Sequence, residues 1–242
     1  MLSMAKGYGQ YCPLSLAAEL LCQRWTVLVV SRLLDGCCRF NEIARGVPRM
    51  SPTLLSRRLT ELEQAGLIET RGRGGKAGRE YLLTVAGREL EPLIEGLAIW
   101  GQHWARNMTN DDLDPAFLVW SMHLRINTDT MPPGQTVIEF QFAGAPTDCR
   151  RFWLIHRSKA VEMCLKDPQL DVDLLVSADL RVFVEAWRGF RDLRQEIRAG
   201  RITVHGPEAL RRKFPDWLRL SALAPYPRKL PGPERQLAES KR

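Results

Sequence analysis

The chain has 242 residues, with 35 Lys plus Arg against 28 Asp plus Glu, a formal net charge of +7. That length allows two modest cores, and the positive balance favours anionic partners. No stretch approaches the roughly 18 consecutive apolar residues of a membrane span. The start, Met1 to Gly7, lacks the apolar core of a signal peptide, so a cytoplasmic protein without membrane insertion is expected.

Pro13 to Cys22 and Trp25 to Leu34 are mostly apolar and predict two helices, the second ending at the turn Asp35-Gly36. Phe40, Ile43 and Ala44 at helical spacing predict a short supporting helix, which Gly46-Val47-Pro48 breaks. Ser51 then offers a capping oxygen, and Pro52 suits a first helical position. In the helix that follows, Leu55, Leu59 and Leu62 form one core-facing stripe. Thr53, Ser56, Arg57 and Thr60 lie on the opposite stripe as hydroxyl and guanidinium donors. Such groups contact phosphates and read base edges when a helix lies in a major groove. With Ser51 and Arg58 beside them, they are the candidate DNA contacts of this helix.

Leu67 to Thr70 and Tyr81 to Thr84 alternate like two strands. The segment between them carries Arg71, Arg73, Lys76 and Arg79 with no acid among them. A flexible basic hairpin tip of this kind can follow a phosphate backbone or enter a minor groove, so it reads as a wing. From Arg39 to Arg88 there are ten cations against five acids, which places most of the positive excess in this reading unit.

Thr84 is a candidate cap for one helix running to about Asn107, with Leu90, Leu93, Leu97, Trp100 and Trp104 near one face. That apolar stripe is expected either to pack on the protein's own second half or to form a dimer seam. Arg106 to Pro115 then turns polar and acidic, marking a domain boundary. One more helix, Ala116 to Ile126, precedes strand-like runs at Thr136 to Phe142, Phe152 to His156, Ala160 to Leu165 and Val172 to Ser177. Helices near Asp179 to Arg188 and Leu193 to Ala199, a strand Ile202 to His205 and a helix Pro207 to Lys213 complete an α+β pattern. Phe140, Phe142, Trp153, Phe183 and Trp187 are candidate lining for an apolar pocket, although periodicity does not distinguish a tunnel from a filled core. The tail, residues 230–242, is polar and proline-containing and reads as disordered.

Motifs for catalysis are missing. Gly72 to Ala77 formally fits a dinucleotide fingerprint but leads into a strand rather than a helix. Neither a P-loop nor a nucleophile elbow occurs, and His103, His123, His156 and His205 are scattered without metal-ligand spacing. The expectation is a protein without enzyme activity, metal or cofactor. The six cysteines, at 12, 22, 37, 38, 149 and 164, lack the paired spacings of a zinc site or a secreted disulfide framework and read as buried free thiols.

Cys12-Pro13, Arg24-Trp25-Thr26-Val27-Leu28, Gly36, Arg39-Phe40-Asn41-Glu42-Ile43, Ser51-Pro52, Leu55, Arg58-Leu59, Leu62-Glu63, Gly66-Leu67, Tyr81 and Leu83-Thr84 together resemble an HxlR-type winged-helix transcription regulator over about residues 8 to 107. The resemblance implies a homodimer on double-stranded DNA, with a recognition helix in each major groove. It also singles out Cys12, because an N-terminal cysteine senses oxidants or electrophiles in some members of that family. Farther on, Ala178-Asp179-Leu180, Phe183, Trp187-Arg188-Gly189, Gly200-Arg201-Ile202, Val204-His205-Gly206-Pro207, Leu210 and Phe214-Pro215-Asp216-Trp217 resemble the sterol-carrier-protein-like domain. That resemblance implies a helix-covered sheet around a tunnel for a lipid or another apolar small molecule.

The expected organisation is therefore a winged helix-turn-helix DNA-binding and dimerisation domain at residues 1–108, an α+β sterol-carrier-like domain at 109–229, and the tail. The leading expectation is a DNA-binding regulator whose occupancy an apolar ligand controls. The alternative is a lipid carrier or sequestering protein whose basic first domain serves dimerisation or nonspecific nucleic-acid binding.

Overall fold

The computed structural model describes residues 7–72, 78–158 and 160–229. Arg73 and Lys76 of the expected wing, and the tail 230–242, lie outside the described residues. The chain forms two compact units that divide between Leu97 and Ala98. No single helix among the described residues is long and apolar enough to cross a membrane.

The first unit begins with α1 (Pro13–Leu21), α2 (Thr26–Leu34), α3 (Phe40–Gly46) and α4 (Pro52–Gln64). Its core is built where the apolar periods meet: Val29, Val30 and Leu33 of α2, Ile43 of α3, and Leu55, Leu59 and Leu62 of α4 are all buried. Gly66, at φ +71°, supplies the left-handed residue that ends α4. The chain then returns through β1 (Ile68–Arg71) and β2 (Glu80–Leu83), an antiparallel pair with Ile68 opposite Leu83 and Arg71 opposite Glu80.

The single long helix expected after Thr84 is two helices. Thr84 Oγ1 accepts from Gly87 N at 3.2 Å and caps only the short α5 (Val85–Arg88). A new helix, α6 (Glu91–Trp104), follows. Pro92 explains the break, since it has no N–H to continue the ladder but is tolerated in a first turn.

The division between the units falls inside α6, earlier than the polar stretch at 106–115. Beyond Leu97 this helix makes its bonds within the second unit: Gln102 Nε2 donates to the carbonyl of Arg188 at 3.1 Å, and His103 Nδ1 lies 2.6 Å from that of Pro227.

The second unit continues with α7 (Pro115–His123), capped by Asp114, and then β3 (Gln135–Ala143), β4 (Arg151–Arg157), β5 (Ala160–Cys164) and β6 (Leu174–Asp179). It ends with α8 (Leu180–Trp187), α9 (Leu193–Arg198), β7 (Ile202–His205) and α10 (Glu208–Trp217). The sheet order is β5-β4-β3-β6-β7. β3 runs parallel to β6, and every other pairing is antiparallel.

Alternation assigns the faces. Ile138, Phe140 and Phe142 with Phe152 and Leu154 join Leu118 and Met122 of α7, Phe183 and Trp187 of α8, and Phe214 and Trp217 of α10 in one core. The opposite face holds a smaller cluster, Val137, Trp153 and Ile155, with Cys164 and Leu170 packed against it. Cover on both faces buries β3 from Thr136 to Phe140 without a break, Glu139 included.

Candidate nucleic-acid interface

Local chemistry starts α4 where the sequence predicts. Ser51 Oγ accepts from Leu54 N at 3.3 Å, and Pro52 opens the first turn. With Leu55, Leu59 and Leu62 buried, the helix turns Thr53, Ser56, Arg57 and Thr60 to the exterior. The Arg57 side chain is 62% exposed; its Nε donates to Glu61 Oε1 at 2.8 Å, leaving the two Nη groups at the surface. The Thr60 hydroxyl donates back to the carbonyl of Ser56 at 3.1 Å. Burial pushes the Glu61 carboxyl up, but hydrogen bonds from Arg57 and Arg58 outweigh it and hold the group below its ordinary range.

Arg58 stands apart from the other candidates on this helix. Its side chain is only 12% exposed, and it bonds inward, Nε to the carbonyl of Arg24 at 3.1 Å and Nη1 to Gln23 Oε1 at 2.6 Å and to Glu61. The structure places it as an anchor of the helix rather than on the face with Arg57. The turn leading into α4 adds an exposed cation, Arg49, which was not among the candidates.

At the hairpin, Arg71 and Arg79 are both exposed, and Arg71 pairs with Glu69 at 2.6 Å. The base of the hairpin is tied down tightly. Thr84 N donates to the carbonyl of Leu67 at 3.0 Å, and Thr84 Oγ1 donates to that of Gly66 at 2.7 Å. Gly87 approaches so closely that a Cβ there would stand 2.1 Å from the carbonyl oxygen of Leu67. An exposed donor face on a buried-leucine helix is thus followed by a basic two-stranded hairpin on a fixed base.

Comparison with known proteins matches residues 20–109 to the HxlR-like helix-turn-helix family. A relative covered almost end to end is the HTH-type transcriptional regulator YvaP of Bacillus subtilis, 35% identical over 112 residues that make up 46% of this chain and 96% of that protein. The chain belongs to the HxlR-like family. A second member similar to it is the HTH-type transcriptional regulator YodB of B. subtilis, 33% identical over 95 residues, 38% of this chain and 85% of YodB. The solved reduced form of YodB is 30% identical, covers 41% of this chain and all of its own, and superposes with a TM-score of 0.36. The HxlR-like match identifies a helix-turn-helix transcriptional regulator in the first unit, and DNA binding goes with that family. The family match ends at residue 109 and leaves the rest of the second unit unaddressed.

The remaining candidates of this HxlR-like chain fall into three groups. On α6, Leu93, Leu97, Trp100 and Trp104 form one exposed stripe, with Leu93 63% and Trp100 57% accessible, while Leu90 is half-buried just before the helix. α1 has no buried residue, and its Leu14 and Leu16 are exposed as well.

In the second unit Phe140, Phe142 and Phe183 meet ring to ring, with centroids 5.9 Å apart for Phe140 and Phe183 and 5.3 Å for Phe142 and Phe183. Trp187 joins the same cluster. Trp153 does not, because it pairs with Glu139 on the opposite face of the sheet, so the five expected lining residues do not share one space.

The cysteines are free, but buried thiols are not the rule: Cys12 and Cys22 are exposed, Cys37 is buried and the others are intermediate. Backbone N–H groups of Ser15 and Leu14, at the start of α1, hold the Cys12 thiol below its ordinary value. Burial pushes the Cys37 thiol up to about 11, and the neighbouring acids Asp35 and Glu42 act in the same direction.

Proposed function

We propose that this HxlR-like regulator binds double-stranded DNA in the cytoplasm as a homodimer, with α4 in the major groove of each half-site and the hairpin on the adjoining backbone or minor groove. The observation that carries the reading is the segregation of α4, where Leu55, Leu59 and Leu62 are buried while Thr53, Ser56, Arg57 and Thr60 face outward. The exposed stripe on α6 and the unburied α1 support a second copy of the chain as the dimer partner. Apolar faces of this kind remain in water only at a cost of about 25 cal/mol per Å2. Cys12, exposed and with its thiol value lowered, is the group assigned to react first with an oxidant or electrophile.

For the second unit the proposal is a sterol-carrier-like module, supported by its sheet with helices on one face and by the residue pattern from Ala178 to Trp217. The direct ring contacts among Phe140, Phe142 and Phe183 favour a filled core over a lipid tunnel, because an apolar effector would enter there only by parting those rings. The lipid-carrier alternative draws no support from this packing.

Quantitative DNA binding at several salt concentrations tests the proposal. Arg57→Ala is expected to cost about 1 to 3 kcal/mol and to relax base preference at one position. Replacing Arg71 and Arg79 by Gln is expected to weaken binding to every duplex and to flatten the salt dependence. Equal affinity of wild type and both variants for all duplexes would overturn the reading.

A further inference from the structure

The second unit holds an open concavity of about 780 Å3 at one end of its sheet, on the side away from the main core. A single register row crosses four strands there. Arg151 of β4 stands opposite Gln141 of β3, Gln141 opposite Ser177 of β6, and Ser177 opposite Thr203 of β7. Residues paired in register share a face, so these four polar side chains form one line across the sheet. At the other end of that face Val137, Trp153 and Ile155 are buried and apolar. The same surface is therefore apolar and covered at one end, polar and open at the other.

Three guanidinium groups from two parts of the chain line the concavity: the consecutive Arg150 and Arg151 at the start of β4, and Arg201 before β7. Each is held by one side only. Arg150 Nε donates to the carbonyl of Ala145 at 2.7 Å. Arg151 Nε donates to Glu139 Oε1 at 2.6 Å, with its guanidinium 5.1 Å from the Trp153 ring centre. Arg201 uses Nε and Nη2 on the carboxylate of Glu196. Among the described residues, Nη1 and Nη2 of Arg150 and Arg151 and Nη1 of Arg201 make no further bond. Ser177 adds a hydroxyl, and Gln141 retains one amide hydrogen beyond its 2.8 Å bond to Glu139.

Among the described residues, no carboxylate lines this concavity. A cavity in the first unit differs in this respect, since it mixes Arg71 and Arg88 with Glu69 and Glu91. Planar forks fixed through one edge, with the other edge facing an acid-free hollow, match the oxygens of a phosphate group. The volume exceeds what a bare phosphate needs and lies in the range of small-ligand sites.

We propose that this concavity is a binding site for a phosphate monoester or a related phosphorylated molecule, held by Arg150, Arg151 and Arg201 with Ser177 and Gln141. The inference is independent of the DNA reading. Its source could be a freely diffusing organophosphate or a lipid headgroup, and two probes separate these: inorganic pyrophosphate followed by calorimetry, and phosphatidylcholine vesicles containing phosphatidic acid followed by co-sedimentation. Both use the full chain.

Saturable binding at one site per chain is expected in at least one arm, pyrophosphate marking a free ligand and vesicles alone marking a headgroup. The pair Arg150→Gln and Arg201→Gln should weaken it at least about tenfold, a difference of about 1.4 kcal/mol. The wing pair Arg71→Gln and Arg79→Gln should leave it unchanged. Should loss of the Arg201 bond to Glu196 unfold the pair, Arg150→Gln alone decides, because among the described residues its only side-chain bond is to the carbonyl of Ala145. No saturable binding in either arm, binding that the Arg150 variants leave intact, or binding abolished by the wing pair would overturn the proposal.

Discussion

Arg58 on α4 donates from its Nε to the backbone carbonyl of Arg24, in the turn between α1 and α2, at 3.1 Å. The neighbouring residue, Trp25, sits at φ +79°, a left-handed conformation uncommon for a bulky side chain. One guanidinium thus clamps α4 to a strained turn through Arg24 and Gln23. Arg58→Ala is expected to lower stability by about 1 to 3 kcal/mol, because a largely buried charged donor serves several acceptors at once. Chemical denaturation followed by circular dichroism measures this. A change within about 0.5 kcal/mol, usual for surface sites, would return Arg58 to the ranks of solvent-facing arginines.

The exposed stripe on α6 yields a prediction about assembly. Wild-type protein should sediment as a dimer at micromolar concentration, and Leu97→Glu with Trp100→Glu should sediment as a monomer that retains its helical spectrum. A charge placed in an apolar seam must either be desolvated without a partner or break the contact. If the wild type is a monomer that still binds DNA tightly, the seam lies elsewhere or does not exist.

Thiol reactivity should follow environment. At pH 7 a thiol with a value of about 11 is ionised in only about one molecule in ten thousand. Cys12, exposed and shifted the other way, should be alkylated by iodoacetamide well before Cys37 in the folded protein. Peptide mass mapping at successive times reads the order. Equal rates, or Cys37 first, would contradict the assignment of Cys12 as the responsive thiol.

His156 makes the second unit sensitive to acid. It is 4% exposed, neither ring nitrogen has a hydrogen-bond partner among the described residues, and burial pushes its value below the ordinary 6.5. With the folded value below the unfolded one, the unfolded chain binds the proton first as pH falls. Stability is therefore unaffected above about 6.5 and declines below it, until the folded-state value is reached. Thermal unfolding at steps from about pH 7.5 to 5 should show this decline, and His156→Phe should remove its upper part. A wild-type profile flat across that window would indicate a ring already satisfied.

What could be read from the residues was whatever local chemistry decides. Ser51-Pro52 and the leucine stripe of α4 carry their own cap and period, so that helix appears where expected. The break before α6 also had a local signal, Pro92, which Thr84 as an apparent cap of one long helix obscured. The anchoring role of Arg58 had none, since two of its three acceptors, Arg24 and Gln23, lie more than thirty positions earlier in the chain and only the fold brings them near. Trp153 illustrates the same limit. Its alternation with Phe152 separates the two onto different faces, but which face meets Phe140 depends on the pairing of β3 with β4. The line of Arg151, Gln141, Ser177 and Thr203 is a register relationship across four strands, invisible until the strand order is known.

The parallel pairing of β3 with β6 has a consequence for how the chain matures. The middle of the sheet cannot close until β6 emerges, after β4 and β5 have formed and the segment leading to Leu174 has been made. The first unit is built largely from neighbouring helices and one hairpin, and such local contacts form quickly, whereas distant strand pairing is slow. During synthesis the DNA-reading unit should thus be folded while the aromatic residues of the second are still uncovered. The interval of greatest exposure to aggregation then belongs to Phe140, Phe142 and Phe152, before α8 and α10 arrive to cover them.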